Sequence, residues 1–365
     1  MPRIIHCADI HLDAPFSLSS ADQAEKRRNE LRSTFASLVL YAKNNATEVF
    51  IIAGDLFDDK YVTKDTVQML KREFASFPEC KFFITPGNHD YYFEKSVYRM
   101  ITWPENVHIF TKNKLESVDI PELNTTVYGY AFTSDTMNES PIAFYTETDK
   151  SRINILAAHG DLDVPLSNYC PIMSKDIENC GFDYVALGHI HAQSEIMHKG
   201  NSYYAYCGCL EGRGFDETGY KGAIAGSVEK GKIELKGVRF SVKRYEKVTV
   251  DLSGITDSAT AHRLITEQCG KYGQDTHLRL TLTGAVSCET DLEKDTLRQV
   301  LTKPCSLEVN NLTSPILDYE KLKNDPTVKG LFFKKLEPYL TSDNMEQRKK
   351  AALALKYGMK ALTKS

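Results

Sequence analysis

Pro86-Gly87-Asn88-His89-Asp90 decides the reading of this chain. It follows Cys80-Lys81-Phe82-Phe83-Ile84-Thr85, an apolar run with its charge near the edge, which predicts a buried strand. Glycine permits a sharp exit from that strand. Within the next three residues come an amide oxygen, an imidazole and a carboxylate, groups suited to hard or intermediate metal ions and to phosphate. Asn and Asp side chains also close ordinary turns, so the stretch gains its meaning from four others placed in the same way.

Residues 3–8 read as a strand ending at Asp9-Ile10-His11, and residues 48–53 as a second ending at Gly54-Asp55-Leu56-Phe57-Asp58. Residues 153–158 end at His159-Gly160-Asp161, and residues 183–187 at Gly188-His189-Ile190-His191. Leu31, Phe35, Leu38, Val39 and Ala42 in 21–44, then Val67, Leu70 and Phe74 in 63–77, recur at helical spacing. Strands alternating with helices, with the chemistry at the strands' carboxyl ends, predict an α/β fold. Right-handed crossovers would bring those ends to one edge of one sheet. Shorter strands are expected at 107–111, 126–132, 202–207 and 222–228, with a glycine-rich turn over 208–219.

Alternate residues of an extended segment share a face, so an Asp-x-His or His-x-His pair at a strand end aims both side chains into one crevice. Half of the ten histidines fall in these motifs. The donors are nitrogen and oxygen without thiolate, which suits Mn(II), Fe or Zn. They are too many for one tetrahedral ion and about right for two ions sharing a carboxylate, an arrangement that clamps phosphate and activates water for in-line attack. His89, beside Asn88, is placed to face substrate and to protonate the leaving oxygen. Asp58 is either its orienting acceptor or a solvated loop carboxylate beside Asp59 and Asp65.

The chain has 365 residues, 42% hydrophobic and 26% charged, the balance of a soluble globular protein. No apolar run approaches the ~20 residues of a membrane helix. The amino terminus enters a strand pattern without the apolar core of a signal peptide. Nine cysteines, an odd number without zinc-type spacing, read as reduced thiols of a cytoplasmic protein. A net charge of −4 neither requires nor forbids a nucleic-acid partner. Three parts are expected: a catalytic domain over 1–240, a small β-α-β-α-β accessory domain over 241–315, and a basic helical tail over 316–365. In that tail Leu355, Met359 and Leu362 form a stripe beside Arg348, Lys349, Lys350, Lys356 and Lys360. It either packs on 318–340 or docks on a partner.

Asp9-x-His11, Gly54-Asp55, Gly87-Asn88-His89-Asp90, His159 and Gly188-His189-x-His191 resemble the full signature of the calcineurin-like metallophosphoesterases. That resemblance implies a β-sandwich flanked by helices. It also implies one metal on Asp9, His11, Asp55 and His191, and a second on Asp55, Asn88, His159 and His189, most often Mn(II), with His89 catalytic. His11-Leu12-Asp13-Ala14-Pro15-Phe16 and the appended domain are similar to SbcD-type DNA repair exonucleases, especially their YhaO-like branch. The partners so implied are DNA, an SMC-like coiled-coil ATPase and a second copy of the chain. There are departures. Asp58 stands where some relatives have His, Asp59-Lys60 replaces the Arg-Gly of the protein phosphatases, and Cys207-Gly208-Cys209 replaces a common Pro-Gly-Ser.

The resemblance implies hydrolysis of DNA phosphodiester bonds, as a 3'–5' exonuclease or an endonuclease. Lys26, Arg27, Arg28, Arg213, Lys243 and Arg244 are the cations available for phosphate contacts. The alternative is a phosphatase or cyclic-nucleotide phosphodiesterase, for which residues beyond 240 would be idle.

Overall fold

In the computed structural model the described residues are 1–16, 21–58, 61–143, 145, 148–287, 289–316 and 318–364, with the backbone alone for 360, 363 and 364. Asp59, Lys60 and the Lys360 side chain lie outside them. The chain divides into two units, Met1–Arg244 and Tyr245–Ser365.

In the first unit β1 (Arg3–Cys7), β2 (Val49–Ala53), β3 (Lys81–Thr85) and β4 (Val107–Ile109) run parallel. They are linked by α1 (Ala21–Asn44), α2 (Lys64–Ala75) and the short α3 (Val97–Met100). Next come β5 (Glu116–Ile120), β6 (Thr125–Gly129), β7 (Ile153–His159), α4 (Ser174–Cys180), β8 (Tyr184–Gly188), β9 (Met197–Lys199) and β10 (Ser202–Tyr206). These strands form a separate sheet, ordered β5-β6-β7-β8-β10-β9. The hairpin β11 (Gly222–Glu229) and β12 (Lys232–Arg239) returns to the first sheet, antiparallel to β1, completing the order β12-β11-β1-β2-β3-β4.

The expectation of a single sheet is therefore corrected: the motif-bearing strands are shared between two. The cause is visible in β2, Val-Phe-Ile-Ile-Ala, buried at every position. Phe50 and Ile52 pack with Leu31, Phe35, Leu70 and Phe74 of the two long helices. Val49 and Ile51 pack on the opposite face with Val127, Ile155, Tyr184 and Ala186 of the second sheet. On that sheet's far side, Leu156, Val185 and Leu187 meet Ile177 and Phe182. The result is the helix-flanked β-sandwich that the resemblance implied. Thr63 caps α2, its hydroxyl accepting from the Thr66 amide at 3.3 Å.

The second unit contains β13 (Arg244–Asp251, beginning at the junction), α5 (Ser258–Cys269), β14 (Thr276–Thr283), β15 (Ala285–Val286), α6 (Lys294–Val300), β16 (Ser306–Asn311) and β17 (Ser314–Pro315). Its three-stranded sheet, β13-β14-β16, buries Val250, Leu278, Leu280 and Leu307 against Ile265 and Leu297. Helices α7 (Tyr319–Asn324), α8 (Val328–Leu340) and α9 (Met345–Lys364) follow. Leu355 and Met359 of α9 are buried with Phe333 and Leu322, so two of the tail stripe's three residues are covered within its own chain, and Leu362 is half-buried. Leu353 and Tyr357 remain exposed. Among the described residues no helix is long and apolar enough to cross a membrane.

Candidate metal centre

The carboxyl ends of β1, β2, β3, β7 and β8 deliver their motif residues to one cluster. Backbone amides tie the turns together: the His89 N–H donates to Asp55 Oδ1 at 3.0 Å, and the His189 N–H to both Asp9 oxygens at 3.1 Å. Asp9, His11, Asp55 and His189 all adopt positive φ (49°, 50°, 51° and 101°). Such strain is held by surrounding structure and gathers at functional sites. Gly87 is required by close approach, because a Cβ there would stand 2.2 Å from Asp55 Oδ1.

Two donor groups share one atom, Asp55 Oδ2. On one side it is 3.6 Å from His11 Nε2, which lies 3.3 Å from His191 Nε2, itself 3.9 Å from Asp9 Oδ1. On the other side it is 3.5 Å from His159 Nε2, which lies 3.0 Å from Asn88 Oδ1, and that oxygen is 3.2 Å from His189 Nδ1. Donors about 2.1 Å from a common ion stand ~3.0–3.4 Å apart, close to these spacings.

The protonation states also fit cations. His159 Nδ1 is 2.9 Å from the Ala53 carbonyl, so that nitrogen donates. Burial lowers the ring's pKa, and with Nδ1 turned to that carbonyl, Nε2 faces two oxygens. His11 is held well below the usual histidine range by burial, and its buried Nδ1 has no partner. Burial, then His159, lowers His189 to about 4. Burial, then the Asp55 charge, pushes Asp9 well above the ordinary carboxylate range. Asp55, despite its burial, is drawn down to about 2 by His159, His11 and His89. Nitrogen and oxygen donors converging around two buried carboxyl groups suit a metal ion, whose charge would favour both as carboxylates.

His89 is exposed, whereas Asp9, His11, Asp55 and His159 are buried. Its ring meets that of His11 edge-on at 4.9 Å. One nitrogen each of His89 and His11 and one oxygen of Asp58 lie within 4.8 Å of one another, with no hydrogen bond between Asp58 and His89. Asp90, read from the sequence as one of the metal or phosphate groups, serves the loop instead. Its carboxylate accepts from the Gly87 and Phe57 amides and from the Tyr98 hydroxyl at 2.7, 3.1 and 2.5 Å. Burial, then Asp55, raises it to about 7.

Three neighbours escaped the sequence reading. Glu217 lies 2.7 Å from His191 Nδ1. Burial would raise its carboxyl, but the His191 hydrogen bond and the Arg213 charge carry it well below the usual range. Asp161 Oδ1 is 3.6 Å from His189 Nε2, and the Tyr169 ring lies 4.9 Å from the His189 ring, tilted by 34°. Of the cations considered for phosphate contacts, Arg27 is buried against Glu30, Glu211 and the Gly212 carbonyl, and Arg28 pairs with Glu25. Arg213 stays at the centre, beside His191 at 3.2 Å.

Fold and donor set together define a metal-dependent hydrolase of phosphoester bonds. The chain belongs to the calcineurin-like phosphoesterase family, whose sequence profile matches residues 2–193. It is similar to the uncharacterized metallophosphoesterase YhaO of Bacillus subtilis, 29% identical over 77% of this chain and 71% of that protein. At that extent the likeness is longer than the first unit and reaches into the second. It is also similar to the SbcD component of the nuclease SbcCD of Staphylococcus epidermidis, 26% identical over 59% of this chain and 63% of that protein.

Proposed function

We propose that this chain is a two-metal phosphodiesterase acting on DNA, the nuclease component of a complex with an SMC-like coiled-coil ATPase. Asp9, His11, Asp55 and His191 would hold one divalent ion, and Asp55, Asn88, His159 and His189 the other, with Mn(II) the preferred metal. When bound, the ions supply Lewis acidity toward a phosphoryl oxygen and lower the pKa of water. Asp55 is suited to share its Oδ2 between both donor groups, since that atom lies 3.6 and 3.5 Å from a histidine of each. His89, exposed beside Asn88, protonates the departing oxygen as general acid, a role worth ~10²–10⁴-fold. Asp58, whose carboxylate lies within 4.8 Å, is the candidate for orienting that ring.

The observation that carries DNA as substrate is the likeness to a component of a nuclease. Arg213 beside His191, and Lys221, whose Nζ is 3.3 Å from the His191 carbonyl, offer positive charge for a phosphate backbone. The second unit, with the exposed Leu353 and Tyr357 on α9, provides for DNA recognition and partner docking, and a second copy of the chain completes the assembly. Seven buried free thiols among the described residues accord with a reducing, cytoplasmic setting.

The test is turnover of linear duplex DNA, a cyclic nucleotide and a phosphopeptide with added Mn(II). Preference for DNA, with nucleotides released from ends, supports the reading. Preference for either other substrate overturns it in favour of a phosphatase or cyclic-nucleotide phosphodiesterase.

A further inference from the structure

The loop between β10 and β11 brings one more acid to the metal centre. Glu217 Oε1 stands 2.7 Å from His191 Nδ1. The same carboxylate is fixed by Arg213, whose backbone N–H donates to Oε2 at 2.7 Å and whose Nη2 donates to Oε1 at 3.1 Å. The opposite ring nitrogen, His191 Nε2, faces the cluster 3.3 Å from His11 Nε2.

A neutral imidazole carries one proton, and only its bare nitrogen can bind a metal. Two groups compete for Nδ1. Glu217 accepts a hydrogen bond from a protonated Nδ1, which leaves Nε2 free. Arg213 Nη2, at 3.2 Å, can only donate, which would put the proton on Nε2 and close the ligand atom. The contact at 2.7 Å to a carboxylate is charge-assisted and stronger than a longer bond to a ring nitrogen.

We propose that Glu217 is a positioning residue for the metal centre: it fixes His191 as the Nδ1–H tautomer, against Arg213, so that Nε2 is presented to an ion. The proposal rests on the two-metal reading and adds to it a residue 26 positions beyond His191, past β9 and β10.

Calorimetric titration of Mn(II) into the metal-free full chain tests it. Wild type is expected to show two sites. Glu217→Gln should weaken one of them about 10–100-fold, the usual effect of removing such a partner, and leave the other unchanged. Two unchanged affinities in a folded variant would overturn the proposal, as would equal loss at both sites. Nitrogen-15 NMR of the metal-free wild type gives a second readout that needs no Glu217 variant, with His191→Asn assigning the signal. A protonated Nδ1 supports the proposal and a protonated Nε2 overturns it. Fewer than two sites in wild type would instead refute the two-metal reading, while the tautomer still decides the role of Glu217.

Discussion

Gly54→Ala should empty one metal position by steric displacement alone. Gly54 has φ +92°, and a Cβ on it would stand 2.0 Å from His159 Nδ1 and 2.5 Å from its Cγ. Ordinary contact needs roughly 3.5 Å, so the ring must retreat by more than about 1 Å. His159 Nε2 would leave its place 3.0 Å from Asn88 Oδ1 and 3.5 Å from Asp55 Oδ2. Metal bonds tolerate only ~0.2 Å, and a ~1 Å misplacement alone costs on the order of 10²-fold in rate. The left-handed backbone adds about 1–2 kcal/mol of strain and the overpacking about 1–3 kcal/mol. Gly231→Ala separates the two terms, because Gly231 has φ +72° with no atom within 4 Å of the added Cβ. It should lose about 1–2 kcal/mol in urea unfolding and keep both ions and full hydrolysis of a nitrophenyl phosphodiester. Gly54→Ala should lose more stability, one ion and at least the 10²-fold in rate. Two retained ions with near-normal turnover would refute this geometry.

His89→Asn should bind both metals yet lose ~10²–10⁴-fold of DNA hydrolysis, with a smaller loss on a nitrophenyl ester whose leaving group needs no proton; equal losses would indicate positioning instead. Asp58→Asn should show a milder form of the same defect. His6 is buried, its Nδ1 accepting from Tyr184 Oη at 2.8 Å and its Nε2–H donating to the Leu187 carbonyl at 3.1 Å. Burial lowers it from 6.5 to about 3, so between those pH values the unfolded chain binds a proton that the folded chain refuses. Its contribution is complete above pH 6.5 and is lost as pH falls, at up to about 1.4 kcal/mol per unit. Urea titrations of metal-free His6→Gln should give a flatter slope than wild type between pH 6 and 5, and an equal slope would contradict the assignment. Leu355→Ala should destabilise the second unit by about 2–5 kcal/mol, since Leu355 is 2% exposed; an unchanged melting temperature would mean that α9 does not pack on α8.

The donor residues are legible in the sequence because each ends a strand buried on both faces, where an apolar run breaks abruptly into Asp, His and Asn. The division into two sheets is not. Both arrangements demand the same apolar runs, and nothing in Ile153–His159 tells whether it pairs with β3 or faces it. The edge strand Lys232–Arg239 alternates Ile233 and Leu235 with Lys232, Glu234 and Lys236, a period-2 signal from which this strand could have been expected. Asp161 could have been found by the same alternate-residue rule that marks Asp9 and His11, since it lies two residues after His159. Glu217 could not, because it reaches His191 across 26 residues of loop and strand. Arg27 reads as a surface cation in the sequence because its partners Glu211 and Gly212 lie far away along the chain.

The central claim is that two ions share Asp55. Anomalous scattering from crystals grown with Mn(II) tests it most directly. The account predicts two peaks, both within bonding distance of the Asp55 carboxylate, one also bonded to His11 and His191 and the other to His159 and His189. A single peak, or two peaks of which only one touches Asp55, would contradict it.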